Sequence, residues 1–250
     1  MFKEIRNVIA FLTAIPVGMS QDYLTDAANC MYLFPLIGAL MGLLAGTLAW
    51  LLLNFLDVLI VGILTVGFIS LITGLHHADG LLDFGDGLMY QGPPEEKIKI
   101  MHDQQTGVGG FALGLVTFLA TAFCIAKLNQ NSVVQSLVVC ETSAKLAMVV
   151  MAWLGKSAHE GMNMYFVNAM HGRYRNIRLM AALSITFGVA WPLLEILGCV
   201  VVISSIVSTL VLIGISNRHF KGVTGDVFGA GNELARLFSL LTILVASRWV

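Results

Sequence analysis

Seven stretches of this 250-residue chain are apolar for long enough to cross, or nearly cross, the hydrocarbon core of a bilayer, a distance that takes about 20 residues of helix. They cover about 33–56, 57–75, 108–127, 132–154, 178–195, 196–215 and 233–249. Backbone groups in lipid have no water to bond, so these runs are predicted as helices rather than strands. Only Trp191-Pro192 and Glu195 separate the fifth run from the sixth, which leaves room for a tight turn between two spans or a kinked re-entrant pair. Ahead of the first run, Ile5, Val8, Ile9 and Leu12 recur at helical spacing, predicting a short helix on the membrane surface. A polar loop then carries the chain to about residue 30. Glu4, the short apolar stretch Val8–Ile15 and Pro16 without a small-residue cleavage site argue against a signal peptide. No fixed-period repeat and no soluble segment interrupts the pattern. The expected fold is an all-α integral membrane protein, one domain over 1–250, built as a polytopic bundle of about seven transmembrane helices.

Composition agrees. Hydrophobic residues make up 57% of the chain and charged residues 12%, about half of what a soluble domain carries, and the mean hydropathy is +0.84. That excludes a soluble enzyme, a disordered tail and a nucleic-acid binder, which needs a basic face. The four cysteines are scattered without CxxC spacing and read as small packing residues. Positive charge sets the orientation. With the N-terminus inside, eleven of the fourteen Lys and Arg fall in inner segments, leaving Lys127 and Arg248 outside and Lys145 within a helix. The expected location is therefore the cytoplasmic (inner) membrane with a cytoplasmic N-terminus. The three long polar loops, 76–106, 155–177 and 216–232, then open on the cytoplasmic side and contain all six histidines.

Chemistry concentrates in those loops. Asp79, Asp83 and Asp86 stand at i, i+4 and i+7, one helix face that His76 extends. Like charges at that spacing repel and call for a cation, and hard oxygen ligands select Mg2+ or Ca2+. A solvated acidic cap without an ion is the alternative. His77, with an ordinary pKa near neutrality, suits a general base or a hydrogen-bonded structural role. In 100–110, the glycines around Gly107 could offer backbone N–H groups to phosphate, while Asp103 could join a metal site or cap the next helix. In 217–233, Arg218 and Lys221 offer positive charge suited to a diphosphate, or serve only as inner-side determinants; Asp226 and Glu233 lie seven residues apart. Within the fourth run, Glu141 and Lys145 form an i,i+4 pair, either functional or self-neutralising. No nucleophilic triad, P-loop or dinucleotide-binding fingerprint is present.

Four segments in order carry a resemblance: Phe34-Pro-Leu-Ile-Gly38, His77-x-Asp-Gly-x-x-Asp-x-x-Asp-Gly87, Ile100-Met-x-Asp-x-x-x-Gly107, and Thr224-Gly-Asp-x-x-Gly-Ala230 followed by Glu233. Together they resemble the cobalamin synthase family, the adenosylcobinamide-GDP ribazoletransferases, over nearly the whole chain. The resemblance implies a Mg2+-dependent transfer that joins adenosylcobinamide-GDP to α-ribazole or its 5′-phosphate and releases GMP. By that likeness Asp79, Asp83 and Asp86 form a metal cradle, with Asp226 and Glu233 as further ligands. Arg218, Lys221, Lys145, Asp103, Gly107, Thr224 and Gly225 would contact substrate or its phosphates, and His77 or an aspartate would take the hydroxyl proton. Where the family has a Ser-Arg pair, this chain has Ser143-Ala-Lys145. The implied partners are the two small-molecule substrates and the lipid bilayer, with no nucleic acid, and with a second copy or other enzymes of the pathway as candidate associates. Two competing functions predict other patterns. A CDP-alcohol phosphotransferase carries Asp-Gly-x-x-Ala-Arg, whereas here Asp79-Gly-Leu-Leu-Asp83 has no arginine. A cation transporter places its charges near the midplane and shows repeated halves.

Overall fold

A computed structural model describes residues 2–18 and 21–247. Arg248 and the end of the expected last span lie outside the described residues. Among the described residues the chain is all helix apart from loops and one isolated bridge between Ser157 and Val223. Two short helices, α1 (Phe2–Leu12) and α2 (Tyr23–Asn29), precede α3 (Phe34–Leu52) and α4 (Val58–Ile72). Next come α5 (His76–Met89), α6 (Pro94–Met101), α7 (Val108–Ala126), α8 (Val133–Leu154) and α9 (Asn163–His171). The chain closes with α10 (Arg175–Phe220) and α11 (Gly225–Ala246). Among the described residues, Met31–Leu52, α7, α8, α10 and α11 are each long and apolar enough to cross a membrane. The bent pair of α4 and α5 makes a sixth candidate. This is an all-α polytopic membrane protein.

α8 is the axis of the bundle. Every residue from Ser136 to Ala152 is buried, including Glu141 and Lys145. Such burial needs neighbours on all sides, and α3, α10 and α11 supply them. The approach of α3 is closest, because Gly38, Gly42 and Gly46 form one stripe at four-residue spacing. A Cβ on Gly38 would sit 2.4 Å from the Glu141 carbonyl oxygen, and one on Gly42 2.4 Å from that of Leu137. Without Cβ atoms the two backbones touch, the small-residue packing typical of helices in lipid.

α10 holds the answer to the ambiguous pair 178–195 and 196–215. A straight helix of its 46 residues would be about 69 Å long, roughly twice a bilayer core. Glu195 breaks it with φ 49° and ψ −130°. Beyond the break a Cβ on Gly198 would lie 2.3 Å from the carbonyl oxygen of Ala190, an approach only a chain reversal allows. Both ends return to the same rim: Arg175 donates to the carbonyl of Trp153 (3.2 Å), and Val223 bonds Lys156 (2.8 Å). The element is a hairpin of two limbs.

Two boundaries differ from the sequence pattern. α4 ends at Ile72, and Gly74 and Leu75, both with positive φ (61° and 62°), turn the chain by 97° into α5. α5 therefore runs along the rim rather than through the apolar thickness. α11 begins at Gly225, not at 233, with the Thr224 hydroxyl accepting from the Val227 N–H (3.2 Å) as its N-cap. Residues 225–232, expected as loop, are helix because Val227, Phe228, Ala230 and Asn232 are buried against other helices. Arg236, an inner-side base by the charge count above, is buried at 2% exposure. Lys97, also counted there, is buried and donates to the Gly87, Leu88 and Tyr90 carbonyls, closing the C-terminus of α5.

The glycine stripe yields a test of this packing. Gly42→Val drives a side chain into the α8 backbone and should lower the unfolding midpoint in detergent, overpacking costing about 1–3 kcal/mol. Gly67→Ala, where an added Cβ meets nothing within 4 Å, should leave the midpoint unchanged or slightly raised.

Candidate active site

All three polar loops meet at one rim of the bundle, where α5 crosses the start of α11. The crossing is backbone on backbone. A Cβ on Gly80 would lie 3.0 Å from the Cα and carbonyl oxygen of Asp226, and one on Gly229 3.2 Å from the His77 carbonyl oxygen. These glycines belong to the two most specific motifs, and their lack of side chains brings Asp79 and Asp83 of α5 beside Asp226 of α11. The crowding has an electrostatic signature. Burial, then the negative charges of Asp79, Asp226 and Asp86, pushes the Asp83 carboxyl up to about 7. Asp226 accepts from the Thr224 hydroxyl (3.3 Å), and His102 Nε2 stands 4.0 Å from its Oδ2. His159 Nε2 is 3.2 Å from His102 Nε2, with the rings tilted against each other. Neither histidine was singled out from the sequence, although both lie in the polar loops.

Asp86 has a different place from the one its spacing predicts. Its two oxygens accept from the backbone N–H groups of Gly107 (2.6 Å) and Gly110 (2.8 Å), at the start of α7. Any Cβ on Gly107 would fall 2.5 Å from Asp86 Oδ1. The glycine-rich segment thus presents its amides to an internal carboxylate, which also complements the positive end of the helix. Asp103 stays exposed, accepting from the Gln105 N–H (3.3 Å). Arg218 and Lys221 are exposed at the end of α10, Lys221 ending that helix with φ 63°. Gly225 is open on the rim, with nothing within 4 Å of an added Cβ.

Glu141 and Lys145 do not pair with each other. Glu141 binds Arg236 of α11 through two contacts, and Arg236 also binds Glu233, all three being buried. Asn232 donates to Glu233 (3.2 Å) and accepts from Lys145 Nζ (2.5 Å). Two acids and two bases thus form one closed network across α8 and α11. Seven residues along a helix is about 10 Å, so Glu233 belongs to this network and is not brought to the carboxylates at Asp226. Lys145 is fully buried and outside the wall of the cavity described next.

His77 is 7% exposed, and burial followed by the charges of Lys145 and Arg236 holds its imidazole well below the usual range, so it is neutral at pH 7. It opens, with Asp79 and Asp226, on a cavity of about 700 Å³. The far wall is aromatic: Phe11, Phe34 and Phe166 come from α1, α3 and α9, their ring centroids 4.7–5.9 Å apart. No signal in the sequence joined these three rings.

The family model for cobalamin-5-phosphate synthase matches residues 4–244. The chain belongs to that family. Among curated relatives, the adenosylcobinamide-GDP ribazoletransferase of Methanocella arvoryzae is 36% identical, covering 100% of this chain and 98% of its own length. The one of Methanococcoides burtonii is 36% identical over 97% of this chain and 92% of its own. The enzyme of the same name from Archaeoglobus fulgidus is 29% identical over 99% and 100%. No solved structure matches the chain.

Within this cobalamin synthase fold the donor set suits a hard divalent ion. Among the described residues no three His, Cys, Asp or Glu side chains already close on one point. Mg2+, however, takes only one or two carboxylates and completes its shell with water and substrate phosphate, which the group at Asp79, Asp83 and Asp226 can provide.

Two of the acids should separate by stability. Asp86→Ala orphans two amides and should cost about 1–3 kcal/mol, read as a lower unfolding midpoint. Asp83→Asn relieves repulsion and should leave the midpoint equal or higher. Because the folded pKa of Asp83 is raised to about 7, the cation-free protein gains stability from this group as pH falls from about 8 to about 4, and Asp83→Asn should remove that gain. In the network, Arg236→Met leaves one buried carboxylate without a balancing charge and should cost about 3–5 kcal/mol; adding Glu233→Gln, which leaves Glu141 to balance Lys145, should restore most of it.

Proposed function

We propose that this protein joins adenosylcobinamide-GDP to α-ribazole or its 5′-phosphate, giving adenosylcobalamin or its 5′-phosphate and GMP. The supporting observation is the glycine crossing of α5 and α11, which brings Asp79, Asp83 and Asp226 together, with Asp79 and Asp226 on the wall of a cavity of about 700 Å³. A ribose hydroxyl of the acceptor attacks the cobinamide-linked phosphorus of the diphosphate. The new P–O bond forms as the P–O bond to the GMP phosphate breaks, and the hydroxyl proton passes to a base. His77, buried and neutral at the cavity edge, would take that proton. Asp79, Asp83 and Asp226 would hold Mg2+, which when bound neutralises charge growing on the diphosphate oxygens.

Asp86 then acts by fixing α5 against α7, and Lys145 by anchoring Asn232 within the bundle. Arg218 and Lys221, exposed on the same rim, are free to meet the diphosphate. Positive charge in the loop segments supports a cytoplasmic N-terminus and an active site on the cytoplasmic face of the inner membrane.

The test is turnover of the detergent-purified protein with adenosylcobinamide-GDP and α-ribazole across a Mg2+ titration. Cobalamin and GMP should appear together and only with the metal. Asp79→Asn and Asp226→Asn should each reduce the rate by about 10²–10³-fold, with the fold intact. Release of CMP onto a lipid acceptor, or undiminished turnover in both variants, would overturn the assignment.

A further inference from the structure

We infer that the cavity between α1, α3, α9 and α11 is the acceptor subsite, holding an uncharged nucleoside with its apolar base against the three phenylalanines and its ribose toward Asp79 and Asp226. The inference rests on the reaction proposed above and goes further by saying which substrate enters and which stays outside.

Size makes the first cut. A corrinoid carrying a nucleotide is far too large for about 700 Å³, whereas a benzimidazole riboside has about 20 non-hydrogen atoms and falls in the range of pockets of about 300–1,000 Å³. Charge makes the second. The cavity is lined by two carboxylates, Asp79 and Asp226, and by no lysine or arginine among the described residues. A guanosine diphosphate drawn inside would carry its phosphates past the rim carboxylates, and past any ion they hold, to a wall with no lysine or arginine to meet them. Polarity makes the third. Beyond Phe11, Phe34 and Phe166 the deep wall is completed by Met31 and Met148, whose sulfurs suit aromatic faces. Guanine would bury its hydrogen-bonding edge unpaired against these side chains, at a cost of about 1–3 kcal/mol for each group. A benzimidazole, with a single ring-nitrogen acceptor and no polar substituents, loses far less there.

Two orphaned atoms identify the ribose end. Asn163 and His77 line the cavity, are 2% and 7% exposed, and keep Asn163 Oδ1 and His77 Nδ1 buried without a hydrogen-bond partner. The Asn163 amide cannot be turned to hide its oxygen. Its Nδ2 already donates to Ser157 Oγ (2.6 Å) and to the Val223 carbonyl (2.9 Å), so Oδ1 is left as a fixed acceptor. Buried polar atoms in this state normally have a partner, and the hydroxyls of a ribose can donate to both. With the base deep and the sugar at Asn163 and His77, the attacking hydroxyl faces the carboxylates. The diphosphate of the donor then approaches from outside, past Gly225 and the exposed Arg218 and Lys221. A 5′-phosphate on the acceptor projects through the mouth, since nothing inside neutralises it.

The experiment measures acceptor binding and turnover separately. Equilibrium dialysis of the full-length wild-type protein with α-ribazole, without donor or Mg2+, should show binding that excess GMP does not displace. Displacement by GMP would overturn the assignment. In turnover, Phe166→Leu should raise the KM for α-ribazole by about 10-fold or more while the KM for adenosylcobinamide-GDP stays within about twofold. Opening the wall should also shift kcat/KM toward a riboside with a bulkier base, a gain that misfolding cannot produce. Asn163→Ala should raise the acceptor KM alone. If wild type makes no cobalamin, the reaction itself falls. Should it make cobalamin while these variants alter only the donor KM, or neither, the subsite falls and the reaction stands.

Discussion

Gly80 and Gly229 meet with no side chain between them, and the geometry of the rim depends on that contact. Two helices that touch backbone to backbone bring the residues flanking the crossing closer than ordinary packing permits, since interaxial distances are normally about 8–10 Å. The residues flanking this one are acids. Their mutual repulsion, visible in the raised Asp83 carboxyl, opposes the crossing, so something else must hold α5 and α11 in place. Asp86 does so from one side by tying α5 to the first amides of α7, and Lys97 does so at the C-terminus of α5. The acidic cluster is strained locally and secured remotely, a pattern expected where function rather than stability sets the residue types.

The second support lies deeper. Glu141, Lys145, Glu233 and Arg236 are buried together in a bundle with lipid around it, where an unpaired charge is costly. Two of each sign, linked through Asn232, cancel formally and satisfy one another's hydrogen bonds. Such a network adds little stability relative to apolar packing, but it permits only one alignment of α8 with α11, because any slip leaves a charge alone. That alignment fixes the height of Asp226 at the rim, two turns before Glu233. It also sets the environment of His77, whose imidazole is kept neutral partly by the positive charges beneath it.

Much of this was legible in the sequence and some was not, for identifiable reasons. Hydropathy located the spans, because apolar length is a local property. Three short motifs located the reacting end, because each keeps its glycines beside its acids. Spacing within one helix says nothing about what faces it, however. Glu141 and Lys145 at i,i+4 imply a pair until α11 supplies Arg236. Asp79, Asp83 and Asp86 imply one face until α7 takes Asp86 away. α11 starts eight residues ahead of the apolar run because the glycine-rich stretch 225–232 reads as a loop until α5 is known to pack against it. The wall of the cavity was invisible for the same reason: Phe11, Phe34 and Phe166 come from three separate helices.

That wall also bears on why a reaction between water-soluble substrates is carried out by a membrane bundle. Positioning an apolar base requires a dry aromatic pocket, and the transfer requires carboxylates at the edge of water. A rim helix bent 97° from its span places the acids where the apolar interior ends, so one cavity runs from aromatic rings to charged groups within a single opening. In a soluble domain of this size an apolar pocket would compete with the core for the same few buried side chains. Here lipid covers the outer faces of the helices and leaves the interior of the bundle free for polar structure. The burial of Arg236, Glu141 and Lys145 and the opening of the pocket are thus two consequences of one arrangement: side chains that a soluble protein would spend on its core can face outward, and the inside is released for chemistry.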